Sequence, residues 1–152
     1  MDRLFVAHLD EIRDVIARSC FAAEALAKMP HFALHADYHA GNLKYHGLSV
    51  VGVFDFDDVR VDYRVFDIAL ALANMCTSWD AADDGAVRFD KIRAFVGVCQ
   101  GAAGRLDGPG PLNEVELRAM WRMLANATLN LLSWEVIVYF ADQETEDGDY
   151  LR

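Results

Sequence analysis

The sequence predicts a mainly α chain carrying one short β-hairpin, an α+β fold. Three observations lead there. Apolar residues recur every three or four positions through most of the chain, as one face of a helix requires. Strand-type residues gather in one place, Leu43 to Phe54, around a bend at His46 and Gly47. Hydrophobic residues make up 54% of 152, enough for a single domain over 1–152 to bury a substantial core.

From Leu4 to about Lys28 the apolar positions Phe5, Leu9, Ile12, Ile16 and Cys20 mark one helix, stopped by Pro30. Ala33 to Asp37 reads as a short extended segment. Leu43–Tyr45 and Ser49–Phe54 form the predicted hairpin, the only strands expected. Phe66 to about Met75 is almost wholly apolar and predicts a buried helix. Phe89, Ile92, Phe95, Cys99 and Ala103 mark the next, followed by the loop LDGPGPL. Asn113, with Glu116 three residues on, opens a long final helical region as a capping box, with a break expected near Asn130. Residues 143–152 read as a frayed acidic tail.

Aspartate and glutamate outnumber lysine and arginine by 24 to 14, a formal charge of −10, so a phosphate backbone would be repelled and nucleic acid is not expected as a partner. The same balance permits a cationic small molecule, although it also serves simply to solvate the surface. Cys20, Cys76 and Cys99 are too few and too scattered for a disulfide framework and read as core residues of a cytoplasmic protein. The start, MDRLFVAHLDEIRD, carries acids where an export signal needs an apolar run. The stretch from Met123 to Ala141 is interrupted by Asn126, Asn130, Ser133 and Glu135, so no membrane span is expected.

The chemistry concentrates in LHADYHAGNLKYHGLSVVGVFDFDD, from Leu34 to Asp58. His35, Asp37 and Asn42 have the spacing H-x-D-x-x-x-x-N, and Asp55 follows the hairpin. If the chain turns back about Leu48 and Ser49, antiparallel pairing brings Asn42 opposite Asp55 within a residue or two. Two oxygen ligands then meet at the open end of the hairpin, a donor set suited to magnesium. Asp37, on the loop before it, is placed to orient a hydroxyl and accept its proton. Asp57 and Asp58 are further candidates for metal or substrate. Neighbours on a strand face opposite ways, so at least one of the two is expected to be solvated or paired with Arg60 or Arg64. A rival reading takes His35, Asp37 and His39, at alternate positions, as a zinc set. It leaves Gly41, Asn42 and the later aspartates without a role.

With HADYHAGN, then VVGVFDFDD, then FDIALAL in order and spacing, the segment Leu34 to Leu72 resembles the carboxy-terminal lobe of the aminoglycoside phosphotransferase and homoserine kinase family. Members share the protein-kinase-like fold and transfer phosphate from ATP to hydroxyls of small molecules. The resemblance implies Asp37 as catalytic base, His35 as a brace of the catalytic loop, and Asn42 and Asp55 as magnesium ligands that also hold the nucleotide. It implies Asp67 as the helix-start residue holding that loop, with His39 and Gly41 at matching positions. Ala36 and Ala40 depart from the commoner glycine and proline.

Such a kinase also uses an amino-terminal lobe, with a lysine on the phosphates and a glutamate to hold it. Before His35 only helix is predicted, and Lys28, Lys44 and Lys91 lie in none of the required contexts, so that lobe is expected to be absent here. The Gly97–Gly104 stretch GVCQGAAG falls within a helical pattern and makes no phosphate loop. The lobe is then part of a longer kinase, half of a two-chain enzyme, or a non-catalytic binding module. Apolar residues near the hairpin should be left uncovered, and a homodimer or a partner supplying the other lobe would cover them.

Overall fold

Seen in a computed structural model that describes residues 6–78, 82, 85–105 and 107–144, with side chains as far as 138, the chain is α+β. Its first helical stretch is divided. Helix α1 spans Leu9–Ser19 and α2 spans Ala23–Leu26, with Cys20 (ψ 141°) and Ala22 (ψ 145°) extended between them. The predicted continuous helix overlooked a tertiary contact. Asn126 Nδ2, far along the chain, donates to Ser19 O at 3.0 Å and satisfies a carbonyl that the next helical turn would otherwise have used. Phe21 turns onto the core at this corner, with the Arg122 guanidinium 5.9 Å above its ring. Leu4, where the helix was predicted to begin, lies outside the described residues.

Strand β1, His31–Leu34, runs into the motif, and β2 (Leu43–His46) and β3 (Ser49–Val53) form the expected hairpin. His46 pairs with Ser49, so the bend falls on Gly47 and Leu48, and Gly47 takes φ 59°. The hairpin is not the only sheet. β4, Arg60–Tyr63, pairs antiparallel with β1 in the register His31↔Tyr63 to Leu34↔Arg60. This second two-stranded sheet corrects the single-hairpin expectation. Its alternation of Arg60 and Asp62 with Val61 and Tyr63 is a period-two pattern only four residues long, and its partner lies about thirty residues back.

Helix α3, Arg64–Met75, follows β4 directly and buries Val65, Ala69, Leu70, Ala71, Leu72 and Ala73. Helix α4 spans Phe89–Ala103. Helix α5 runs from Glu114 to Glu144 without the break expected at Asn130. Its polar residues bond back into their own helix. Asn126 Nδ2 also reaches Arg122 O (2.8 Å), Thr128 Oγ1 reaches Leu124 O (3.0 Å) and Ser133 Oγ reaches Asn130 O (2.7 Å). Of the predicted tail, residues 143 and 144 close α5 and 145–152 lie outside the described residues.

The core is the seam between α3 and α5. Val65, Ala69, Leu70, Leu72 and Ala73 meet Ala119, Met123, Leu124 and Ala127, with Met29 beneath and Ile92 and Phe95 of α4 along one side. One polar clamp closes its end. Glu116, 0% exposed, receives Arg64 Nε at 2.7 Å and Nη2 at 2.8 Å, while the same guanidinium donates to the carbonyls of Pro109, Gly110 and Pro111. Asn113 and Glu116 complete the expected capping box, Glu116 N donating to Asn113 Oδ1 at 3.0 Å and Asn113 N to Glu116 Oε2 at 2.8 Å. Burial raises the Glu116 carboxyl, but the Arg64 hydrogen bonds, the Asn113 N–H and the Arg64 charge outweigh it and hold the group below the usual carboxylate range.

Candidate functional site

The site grows from the point where β1 stops. After Leu34 the chain turns through His35 and Ala36, whose φ is 66°, a left-handed conformation that disfavours a side chain. The turn is held from the first turn of α3. Asp67 Oδ2 accepts from His35 N at 3.1 Å and Oδ1 from Ala36 N at 2.8 Å. A carboxylate carried by the most buried helix therefore fixes the two residues just before Asp37.

Asp37 is then tied to the residues that follow it. Asn42 ends a 3₁₀ turn, Ala40–Asn42, and its Nδ2 donates both to Asp37 O (2.9 Å) and to Asp37 Oδ2 (2.8 Å). Both partners only accept, which settles the orientation of the amide. Asn42 Oδ1 and Asp37 Oδ1 are left without a protein donor among the described residues. His39 starts the 3₁₀ turn. Its Nδ1 accepts from Gly41 N at 3.1 Å, so its proton sits on Nε2, 3.4 Å from Asp37 Oδ2. This placement of the ring uses the absence of a side chain at Gly41, because a Cβ there would lie 2.7 Å from His39 Cε1.

His35 faces away from this carboxylate. Its Nε2 donates to Phe54 O at 2.7 Å, across from the hairpin, and its ring packs against Phe56 with centroids 4.7 Å apart and edge-on to Tyr38 at 6.0 Å. Nδ1 is buried with no partner among the described residues. The zinc reading does not hold in this geometry. His35 is committed to a backbone carbonyl, and among the described residues no group of three His, Cys, Asp or Glu side chains could hold a metal ion.

The hairpin delivers Asp55 as its register predicts. Phe54 N donates to Asn42 O at 2.9 Å, so Asp55 is the next residue beyond the pair. Asp55 has φ 58°, which aspartate tolerates better than most residues, and its exposed carboxylate meets no hydrogen bond or ion pair among the described residues. Asp57 and Asp58 lie in an exposed turn rather than on a strand. The arginines considered for them are engaged elsewhere. Arg60 Nε reaches Asp62 at 3.3 Å with its guanidinium over Phe66, and Arg64 is clamped on Glu116.

Sequence reasoning missed Tyr38, Phe54 and Phe56, the groups that seat His35. Burial pushes the Tyr38 hydroxyl up, aided by Tyr45, Cys99 and Asp67, so it stays protonated. Aromatic residues flanking motif aspartates were the available signal.

The sequence model of the phosphotransferase enzyme family matches residues 3–96, more than half of the chain, and the stretch contains every motif residue above. The chain belongs to that family. No curated protein and no solved structure matches it. Family membership agrees with the resemblance drawn from HADYHAGN and FDFDD to aminoglycoside phosphotransferase-like proteins. Within the family's matched span, β1, the hairpin, β4 and α3 are the elements that carry the site.

Proposed function

We propose that the chain is the carboxy-terminal, kinase-like lobe of a phosphotransferase that moves the γ-phosphate of ATP to a hydroxyl of a small molecule, with Asp37 as the base. The observation that carries this reading is the way Asn42 holds Asp37. One carboxylate oxygen is fixed by the amide and the other is left open, as an acceptor of a substrate proton must be. The substrate oxygen bonds to the γ-phosphorus as the bond to the ADP oxygen breaks, and the hydroxyl proton passes to Asp37 Oδ1. His39, its Nε2–H beside Oδ2, supports the charge on that carboxylate, and Asp67 keeps the loop from shifting.

The donor set at the mouth of the hairpin suits magnesium. Asn42 Oδ1 and Asp55 are hard oxygen ligands without competing protein partners among the described residues, and magnesium uses one or two such ligands with phosphate and water. When bound there it would neutralise phosphate charge. Asp57 and Asp58 stand beside it as candidates for a cationic acceptor. A small-molecule partner rather than nucleic acid accords with the charge of −10, and a cytoplasmic setting with the three free cysteines. Among the described residues no helix is long and apolar enough to cross a membrane.

Calorimetric titration with magnesium and ATP, beside the Asp55→Ala variant, tests the nucleotide site. Binding that disappears in the variant is expected. Turnover unchanged by Asp37→Ala would overturn the assignment of the base.

A second reading has its own observation. Tyr45, Leu48, Val50, Val51, Phe54 and Phe56 are all at least 48% exposed, an apolar surface around the hairpin. As a non-catalytic module the chain would pair through it with its own copy or with a partner lobe. A monomer at high concentration that binds no apolar dye would remove this reading.

A further inference from the structure

At the end of α3 far from the catalytic-type loop lies a cavity of about 310 Å³, lined by Ala73, Asn74, Thr77, Thr128, Leu131, Leu132 and Glu135. Asp67, which holds His35 and Ala36, sits in the first turn of α3, and Ala73 is six residues on, roughly 9 Å along the axis at 1.5 Å per residue. The cavity is thus separate from the site around Asp37.

Its chemistry is one-sided. Ala73, Leu131 and Leu132 make apolar walls, and Thr128 Oγ1 donates to Leu124 O. Glu135 is the one ionisable lining residue, and its carboxylate has no hydrogen bond or ion pair among the described residues. The cavity also opens at the carboxy-terminal end of α3, where backbone carbonyls concentrate negative potential and the last turn holds no basic side chain. No arginine or lysine is among the lining residues, and Arg88, on the segment that follows α3, donates to Ser78 Oγ at 3.3 Å. A carboxylate and a helix end of the same sign therefore face an apolar volume of a size that small ligands occupy.

We infer that this cavity binds a small amphipathic cation, a primary ammonium on a compact apolar body. The ammonium sits at Glu135 and the α3 terminus, and the apolar body fills the space between Leu131, Leu132 and Ala73. The site needs neither ATP nor an intact phosphotransfer reaction, so it stands or falls apart from the proposed function.

The test is titration of the full chain with benzylammonium, with benzyl alcohol and benzoate as isosteric controls, read by calorimetry and by backbone amide shifts. The ammonium should bind more tightly than the alcohol, and benzoate should not bind. Shifts should centre on Ala73, Asn74 and Thr77. Glu135→Gln, a change at an exposed position, should weaken the ammonium about tenfold, the scale of one charge-assisted hydrogen bond, and leave the alcohol unchanged. Leu132→Trp should remove both by filling the cavity. Equal affinity for ammonium and alcohol, no binding by a folded chain, or shifts confined to the Asp37 loop would overturn the inference. So would broadening of the same amides with protein concentration alone, since a second copy would then occupy the cavity.

Discussion

The carboxylate of Asp67 accepts the backbone N–H groups of both His35 and Ala36, at 3.1 and 2.8 Å, across more than thirty residues of chain. Removing it as Asp67→Ala leaves two part-buried donors without partners, at about 1–3 kcal/mol each. A loss of about 2–6 kcal/mol in denaturant unfolding is expected. Asp67→Asn should cost less but still destabilise, because only one amide atom can accept. Wild-type stability in Asp67→Ala would show that the loop is held by its other contacts.

Ala36 sits at φ 66° and is 6% exposed. A left-handed alanine costs roughly 1–2 kcal/mol. Ala36→Gly relieves this but adds unfolded-chain entropy of about 0.4–1 kcal/mol and removes a buried methyl, so its stability should stay within about 1 kcal/mol of the parent. Ala36→Val has no such compensation, since a β-branched residue is a genuine outlier at this φ. Thermal unfolding should rank glycine near alanine and valine well below both.

Glu116 and Arg64 give the fold a defined response to acid. The folded pKa of Glu116 lies below its ordinary value of 4.5, so the pair stabilises the fold fully above about pH 4.5. That contribution is lost as pH falls from there through the lower folded pKa. Glu116→Gln should flatten the stability profile in this acid window. Glu116→Ala, which leaves the part-buried guanidinium without its carboxylate though still bonded to carbonyls, should cost about 3 kcal/mol at neutral pH. A profile of unchanged slope in Glu116→Gln would assign acid sensitivity to other carboxylates.

Gly41→Ala tests the small turn behind Asp37. The new Cβ would fall 2.7 Å from His39 Cε1, and the imidazole, at 36% exposure, has room to swing aside. Stability should change by only about 1 kcal/mol or less, as expected where a side-chain end can move. The His39 ring should lose its contact with Asp37, visible as changed imidazole ring-proton chemical shifts by NMR. Unaltered ring shifts would mean that the ring accommodates the methyl without leaving the carboxylate.

Much of this architecture could be read in advance because it is local. The Asn113–Glu116 capping box, the Gly47 bend and the apolar run of α3 each depend on residues a few positions apart. Asp55 was placed beside Asn42 by strand register alone, within one residue of the observed pairing. What escaped was non-local. The Cys20–Ala22 corner depends on Asn126, and β4 is a strand because β1 lies beside it. The same holds inside the site. That His35 bonds Phe54 O rather than Asp37 follows from how the hairpin packs on the loop, which spacing cannot reveal.

The Asn126 contact to Ser19 joins residues 107 positions apart. During synthesis the corner between α1 and α2 therefore lacks this contact until Asn126 has left the ribosome. The periodicity of the two short helices on its own favours a single longer one. When α5 forms it brings Asn126 to that carbonyl, so a helix made late gives an early one its final shape.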